Sequence, residues 1–146
     1  MLLQLTPEQI SRRWNDISAA FMQCLPPDIP PTDEVMNNIL RSLIDGSAQC
    51  WAGVGSINGK MVVCGLMLTK IEVEYVTGTR SLYIFTLYAY NHISDQLYLE
   101  GMETVRKFAK ANNCSKVTAL TSSGRVVDIA KQLGGKADYT LVTLEV

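Results

Sequence analysis

Three side chains in this sequence could take a proton from a nucleophile, and one stretch could hold an anion. His92 lies at a junction between a strand-like run, SLYIFTLYAY, and an amphipathic run beginning at Asp95. A histidine there can act as a general base near neutral pH, although a lone loop histidine is also simply solvated. Glu72 and Glu74 alternate onto one face of a strand-like run and could deprotonate an amine. The same pairing also solubilises a wet strand face. The junction itself, NHIS, leads from a strand into a helix. A helix entered this way aims its first N–H groups at the strand's end, where a phosphate can bind. Tyr83, Tyr88, Tyr90 and Tyr98 crowd this break and either line a pocket or fill space beside it.

The elements that would position these groups follow from periodicity. Leu2, Leu3 and Leu5 suggest a short edge strand. Thr6-Pro7-Glu8-Gln9 then reads as a capping box with proline at the first helical position. Ile10, Trp14, Ile17 and Phe21 form one helical face. Prolines 26, 27, 30 and 31 end that helix and make a stiff connector. Thr32 caps a second helix with a wide apolar surface, stopped at Gly46. The period then changes to two. Gln49 to Ile57 reads as a strand, Asn58-Gly59 as a tight hairpin, and Met61 to Val76 as a long strand covered on both faces in its first half. Thr77-Gly78 turns into a third strand, Leu82 to Tyr90. A long helix follows, with Tyr98, Met102, Val105, Phe108 and Ala109 on one face and an outer Glu103–Lys107 pair. Then come a strand over 116–121, a helix from Val126 to Leu133 ended by Gly134-Gly135, and a final strand over 138–146.

The expected order is therefore (β)-α-α-β-β-β-α-β-α-β, an α/β fold in one domain spanning 1–146. The three central strands should form an antiparallel meander. The step from 82 to 121 should be a right-handed parallel crossover, which puts helices on both faces of a mixed sheet.

Bulk composition removes several function classes. The chain has 146 residues, 47% of them apolar and 18% charged, with a net charge of −1. No basic field is available for nucleic acid. The low charge suggests a face covered by another chain. Cysteines 24, 50, 64 and 114 form no Cys-x-x-Cys pair, and with a single histidine no metal site is expected. Cys50 and Cys64 read as buried thiols in a reducing compartment. No apolar run approaches the roughly 20 residues of a membrane span, and MLLQLTPEQ lacks the basic start of a signal peptide. A cytoplasmic protein is expected.

The element order, together with KFAKANNCSKVTALT and the later IAKQLGG, resembles the GNAT superfamily of N-acetyltransferases. The resemblance covers nearly the whole chain and is best from Ser81 to Gly135. It implies acetyl-coenzyme A as cofactor and an amine as acceptor. It also implies that the strand backbone at Leu87 and Tyr88 lies beside the thioester, with Ser123 near the thiol. Family members carry Arg/Gln-x-x-Gly-x-Gly/Ala at the strand–helix break, cradling the pyrophosphate. Counting back from Phe108-Ala109, that motif falls on Ile93, Ser94, Asp95, Gln96, Leu97 and Tyr98, and none of these is glycine. Asp95 places a negative charge where a phosphate would sit, although it also suits a helix start. Ala130 stands where many members have the tyrosine that protonates the leaving thiolate, and Gly135 stands where they have phenylalanine.

These departures imply a degenerate member, weakly active or inactive. The alternative is a non-catalytic structural or interaction protein, such as a phage-encoded virion or assembly component. A homodimer or protein partner is expected through exposed strand edges and the tyrosine-rich break.

Overall fold

The computed structural model describes residues 1–146. Its elements are β1 (Leu2–Gln4), α1 (Pro7–Arg12), α2 (Trp14–Met22), α3 (Asp33–Ile44), β2 (Ala48–Ile57), β3 (Lys60–Val73), β4 (Arg80–Ala89), α4 (Asp95–Ala111), β5 (Lys116–Ala119) and α5 (Gly124–Gln132). The strands form one sheet in the order β1-β2-β3-β4-β5. β2, β3 and β4 are an antiparallel meander, and β5 pairs parallel to β4 through the α4 crossover.

Local chemistry accounts for most boundaries. The Thr6 hydroxyl accepts from the Gln9 N–H while the Gln9 side chain accepts from the Thr6 N–H, which completes the capping box ahead of Pro7. The helix expected from Pro7 through Phe21 is interrupted at Arg13, whose φ of −111° and ψ of 13° leave helical geometry. The apolar spacing survives the break, so Ile10, Ile17 and Phe21 are all buried. Asn58 and Gly59 both take positive φ, 51° and 77°, the turn that matches strand twist in a two-residue hairpin.

Two cores flank the sheet. On one face α1, α2 and α3 bury Ile10, Ile17, Phe21, Met36 and Leu43 against Cys50, Ala52, Leu66 and Leu68. On the other, Val105 and Ala109 of α4 pack on Trp51, Met67 and Leu82. The expectation for β3 needs adjusting. Only Cys64 to Thr69 is buried, and Met61 and Val63 project beyond the helical layer as Val73 does at the other end. On the outside of α4, Glu103 pairs with Arg106 at 3.9 Å rather than with Lys107.

The strand expected over 138–146 is not formed. Those residues carry no regular structure and are exposed throughout. Its alternating apolar residues are strand-forming in type, but a strand also needs an edge to pair with, and in this chain the segment meets none.

Candidate active site at the splayed end of the sheet

The end of β4 is the centre of the site. β5 pairs with β4 only from Ser81 to Ile84, whereas β4 continues to Ala89. The β3–β4 register jumps from Leu68↔Thr86 to Thr69↔Ile84, so Phe85 is an extra residue. A bulge there re-aims the strand just where β5 stops. Beyond it the Tyr90 N–H donates to Cys64 O at 2.8 Å. By the two-residue alternation of a ladder, the Leu87 and Ala89 backbone groups then face away from β3. They open into the gap left by β5. Gly65 of β3 makes this packing possible. A Cβ there would stand 2.7 Å from Tyr88 O and 3.1 Å from Ile93 Cδ1.

The break itself is well formed. Ser94 is the N-cap of α4 and accepts from the Leu97 N–H at 3.2 Å. The Tyr98 N–H donates to Ser94 O at 3.1 Å, so the Asp95 and Gln96 amides remain as first-turn donors. Ile93 is buried against Gly65, and Leu97 packs toward Gly55, so these two side chains anchor the break rather than line it. The Gln96 side chain donates along the helix to Glu100 at 3.0 Å.

A residue overlooked in the sequence completes this corner. Arg125, on α5, donates to Asp95 Oδ1 from Nη2 at 2.7 Å and from Nε at 3.2 Å. It also donates to Ile93 O and lies 4.9 Å over the Tyr98 ring. Asp95 is therefore not an unopposed negative charge, because a guanidinium sits on it. The only sequence signal would have been that Arg125 opens a helix two residues past a serine cap, and nothing in that spacing points at Asp95. Ser123, expected near the thiol, is that cap and accepts from the Val126 N–H at 3.4 Å.

The two glutamates are not brought to the break. Glu72 is opposite Ser81 at the start of β4, whereas Gly65 is opposite Ala89 at its end. Roughly 20 Å of strand separates them. Glu72 instead pairs with Lys70 at 3.1 Å. Glu74 lies past β3 in a turn, where its carboxylate accepts from the Val76 N–H at 2.9 Å, the Thr77 N–H at 2.8 Å and the Thr77 hydroxyl at 2.7 Å. Those donors, the Val76 N–H foremost, hold its carboxyl below the ordinary value of 4.5. A carboxylate already satisfied by its own turn is a poor base. His92 does lie at the break, exposed between β4 and α4.

Glu74 gives a pH prediction. A folded value below the unfolded one means that the turn's contribution is present above about pH 4.5 and is lost as the pH falls through the lower folded value. Glu74→Gln should therefore flatten part of the acid limb of the stability curve. Urea midpoints compared at pH 7 and pH 3.5 would show a smaller difference in the variant. An unchanged difference would assign the acid sensitivity elsewhere.

On the other face of β4 an open groove of about 700 Å³ runs between α2 and the sheet. Ile17 and Leu66 form its floor, Tyr88 and Tyr90 a wall, and Asp16 and Gln23 part of its rim. The two tyrosine rings meet edge to face at 4.9 Å. Burial, then the charges of Tyr88 and Asp16, push the Tyr90 phenol above its ordinary value. A strip of β4 thus has an opening on either side, one toward the α4 N-terminus and one toward α2. No cluster of three or more His, Cys, Asp or Glu side chains could hold a metal ion.

Comparison with solved structures decides the fold. A probable acetyltransferase superposes with a TM-score of 0.70 at 10% identity, over 100% of this chain and 97% of its own. The ribosomal-protein-alanine N-acetyltransferase of Brucella melitensis biovar Abortus 2308 gives 0.65 at 16%, over 100% and 98%. The chain has the GNAT fold. An aminoglycoside N-acetyltransferase in complex with CoA also matches, with a TM-score of 0.68 at 12% identity, over 100% and 93%. Neither a scan against protein-family models nor a search of curated proteins found a match. No helix is long and apolar enough to cross a membrane.

Proposed function

We propose that this GNAT-fold protein transfers an acyl group from acetyl-coenzyme A to an amine, with a weakened hold on the pyrophosphate. The observation that carries this reading is the splay of β4 from β5. Backbone groups of Leu87 and Ala89 face an open slot that ends at the N-terminus of α4. Acetyl-coenzyme A would supply a thioester-activated acetyl group. The Leu87 N–H is placed to donate to an oxygen that gains charge in the slot. The Asp95 and Gln96 amides and the Arg125 guanidinium would hold phosphate, while the Asp95 carboxylate repels it. The acceptor would enter by the α2 groove, whose rim carries the Asp16 carboxylate with the Arg13 guanidinium 4.0 Å from it, and His92 remains the candidate base at the break.

A second reading, a binding protein without catalysis, is favoured by one observation: Arg125 is already engaged by Asp95 and Ile93 O. Thermal unfolding with and without excess acetyl-coenzyme A separates the two. Ligand at ~100 times its dissociation constant should add about 2.7 kcal/mol. Asp95→Ala should tighten binding about fivefold, since one unit charge at contact in water is worth about 1 kcal/mol. Arg125→Ala should weaken it about tenfold, as expected for one charge-assisted hydrogen bond. No shift at millimolar ligand in either the parent or Asp95→Ala would leave the binding reading.

A further inference from the structure

The α2 groove has an apolar lining and no charge to spare. Ile17, Ala20 and Leu66 are buried in its floor, while Val63 and Tyr90 on its walls are 45% and 44% exposed. Val63 is there because of a bulge. The β2–β3 register passes from Gly53↔Gly65 to Val54↔Val63, so Cys64 is an extra residue and Val63 turns onto the face of Leu66. Large apolar side chains left open around a concave surface mark a place for an apolar body. The Tyr88 and Tyr90 rings meet edge to face at 4.9 Å, an arrangement that a third ring can extend.

The polar groups of the rim are already engaged. Asp16 is the one carboxylate in the lining, and Arg13 Nη1 lies 4.0 Å from it. Gln9 Oε1 accepts from the Thr6 N–H at 2.9 Å, and Gln23 Nε2 donates to Ala19 O at 3.3 Å. The lining as a whole therefore carries no net charge.

We propose that the acceptor taken by this groove is a primary monoamine on a compact apolar body, an arylalkyl or branched-alkyl amine, and not a polycation. The assignment deepens the acyl-transfer reading and rests on it for the reaction, though not for the binding. A polycation would bring several ammonium groups onto apolar surface that offers one carboxylate, itself paired, and each desolvated charge without a partner is costly. A monoamine buries its apolar body and has a single nitrogen to place beside β4. Loss of water there favours the neutral amine, which is the nucleophilic form. On the transfer reading its nitrogen bonds to the acetyl carbonyl carbon and the carbon–sulfur bond breaks. The proton that nitrogen gives up leaves with the coenzyme A thiol.

Nuclear magnetic resonance titrations of the full chain without coenzyme A test the binding, with phenylethylamine, ethylamine and spermidine as probes. Phenylethylamine should shift the Tyr88, Tyr90 and Val63 signals and bind about tenfold or more tighter than either of the others. Tyr90→Ala should weaken it roughly two- to tenfold, while Tyr90→Phe keeps the ring and the affinity. Val63→Glu should weaken phenylethylamine and strengthen spermidine about fivefold, the worth of one charge at contact. Equal binding of ethylamine and phenylethylamine, tighter binding of spermidine, shifts outside the groove, or no binding at millimolar probe would each overturn the proposal. Acetyl transfer is then assayed with the same three amines. Phenylethylamine bound in the groove but never acetylated would remove the transfer reading and keep the assignment of the groove. Acetylation of spermidine in preference would keep the transfer reading and remove the assignment.

Discussion

Phe21→Ala is expected to cost about 3–5 kcal/mol, the range for removing a fully buried aromatic ring from a packed core. Phe21 has no exposed surface and stands among Ile10, Ile17, Met36 and Leu43 on the helical side and Cys50, Ala52, Leu66 and Leu68 on the sheet. Neighbours on two layers cannot both close into the cavity, so the loss should lie toward the top of the range. At this chain length each kcal/mol lowers the melting temperature by about 2–4 °C, and a drop of order 10 °C or more follows. Phe21→Leu keeps most of the volume and should cost far less. Equal losses in the two variants, read from urea midpoints, would show that volume is not what Phe21 contributes.

Thr69→Val should be the next most damaging substitution, by a different mechanism. The Thr69 hydroxyl is fully buried on the α4 face. It accepts from Trp51 Nε1 at 2.9 Å and donates to Gln49 Oε1 at 2.9 Å. Gln49 sits directly opposite Thr69, and Trp51 is the diagonal neighbour. Valine has the same shape and neither bond. Two buried polar groups would lose their partner, at about 1–3 kcal/mol each, for a total of about 2–6 kcal/mol. Thr69→Ser keeps both bonds and drops one methyl, so it should retain most of the stability. If Thr69→Ser were as damaging as Thr69→Val, packing rather than the hydroxyl would be responsible. The indole lies edge to face on Phe108, 5.0 Å between centroids. Near-ultraviolet circular dichroism would therefore report whether Trp51 keeps its place.

Thiol chemistry fits the same picture of the core. Burial pushes the Cys50 thiol up to about 12. It therefore behaves as the small hydrophobe read from its apolar strand.

The elements along the chain were legible because their signals are local. A capping box, a run of prolines, an Asn-Gly turn and a change of period from 3.6 to 2 act over a few residues. Each reappears in α1, the 26–31 connector, the β2–β3 hairpin and the meander. The parallel crossover and the helices on both faces followed from chain-level rules about connections. The resemblance to the GNAT superfamily rested on that order, and the fold agrees with it.

The site was legible only as a place. Residues 87–98 do gather at the end of β4, but what each one does is set by partners distant in sequence. Glu72 and Glu74 looked available because periodicity reports the face of a strand and not its distance from a site. The register sends Glu72 to the far end of β4 and a turn consumes Glu74. Asp95 looked like an uncompensated charge because its counterion, Arg125, arrives from α5, 30 positions later. The strand over 138–146 looked complete because a strand's composition is local, whereas its hydrogen bonds require an edge. Sequence by itself determined which segments are helix or strand and the order in which they come. Tertiary structure decided which charges meet, where β4 leaves β5, and which edge stays open, because those depend on contacts between residues that local spacing cannot relate.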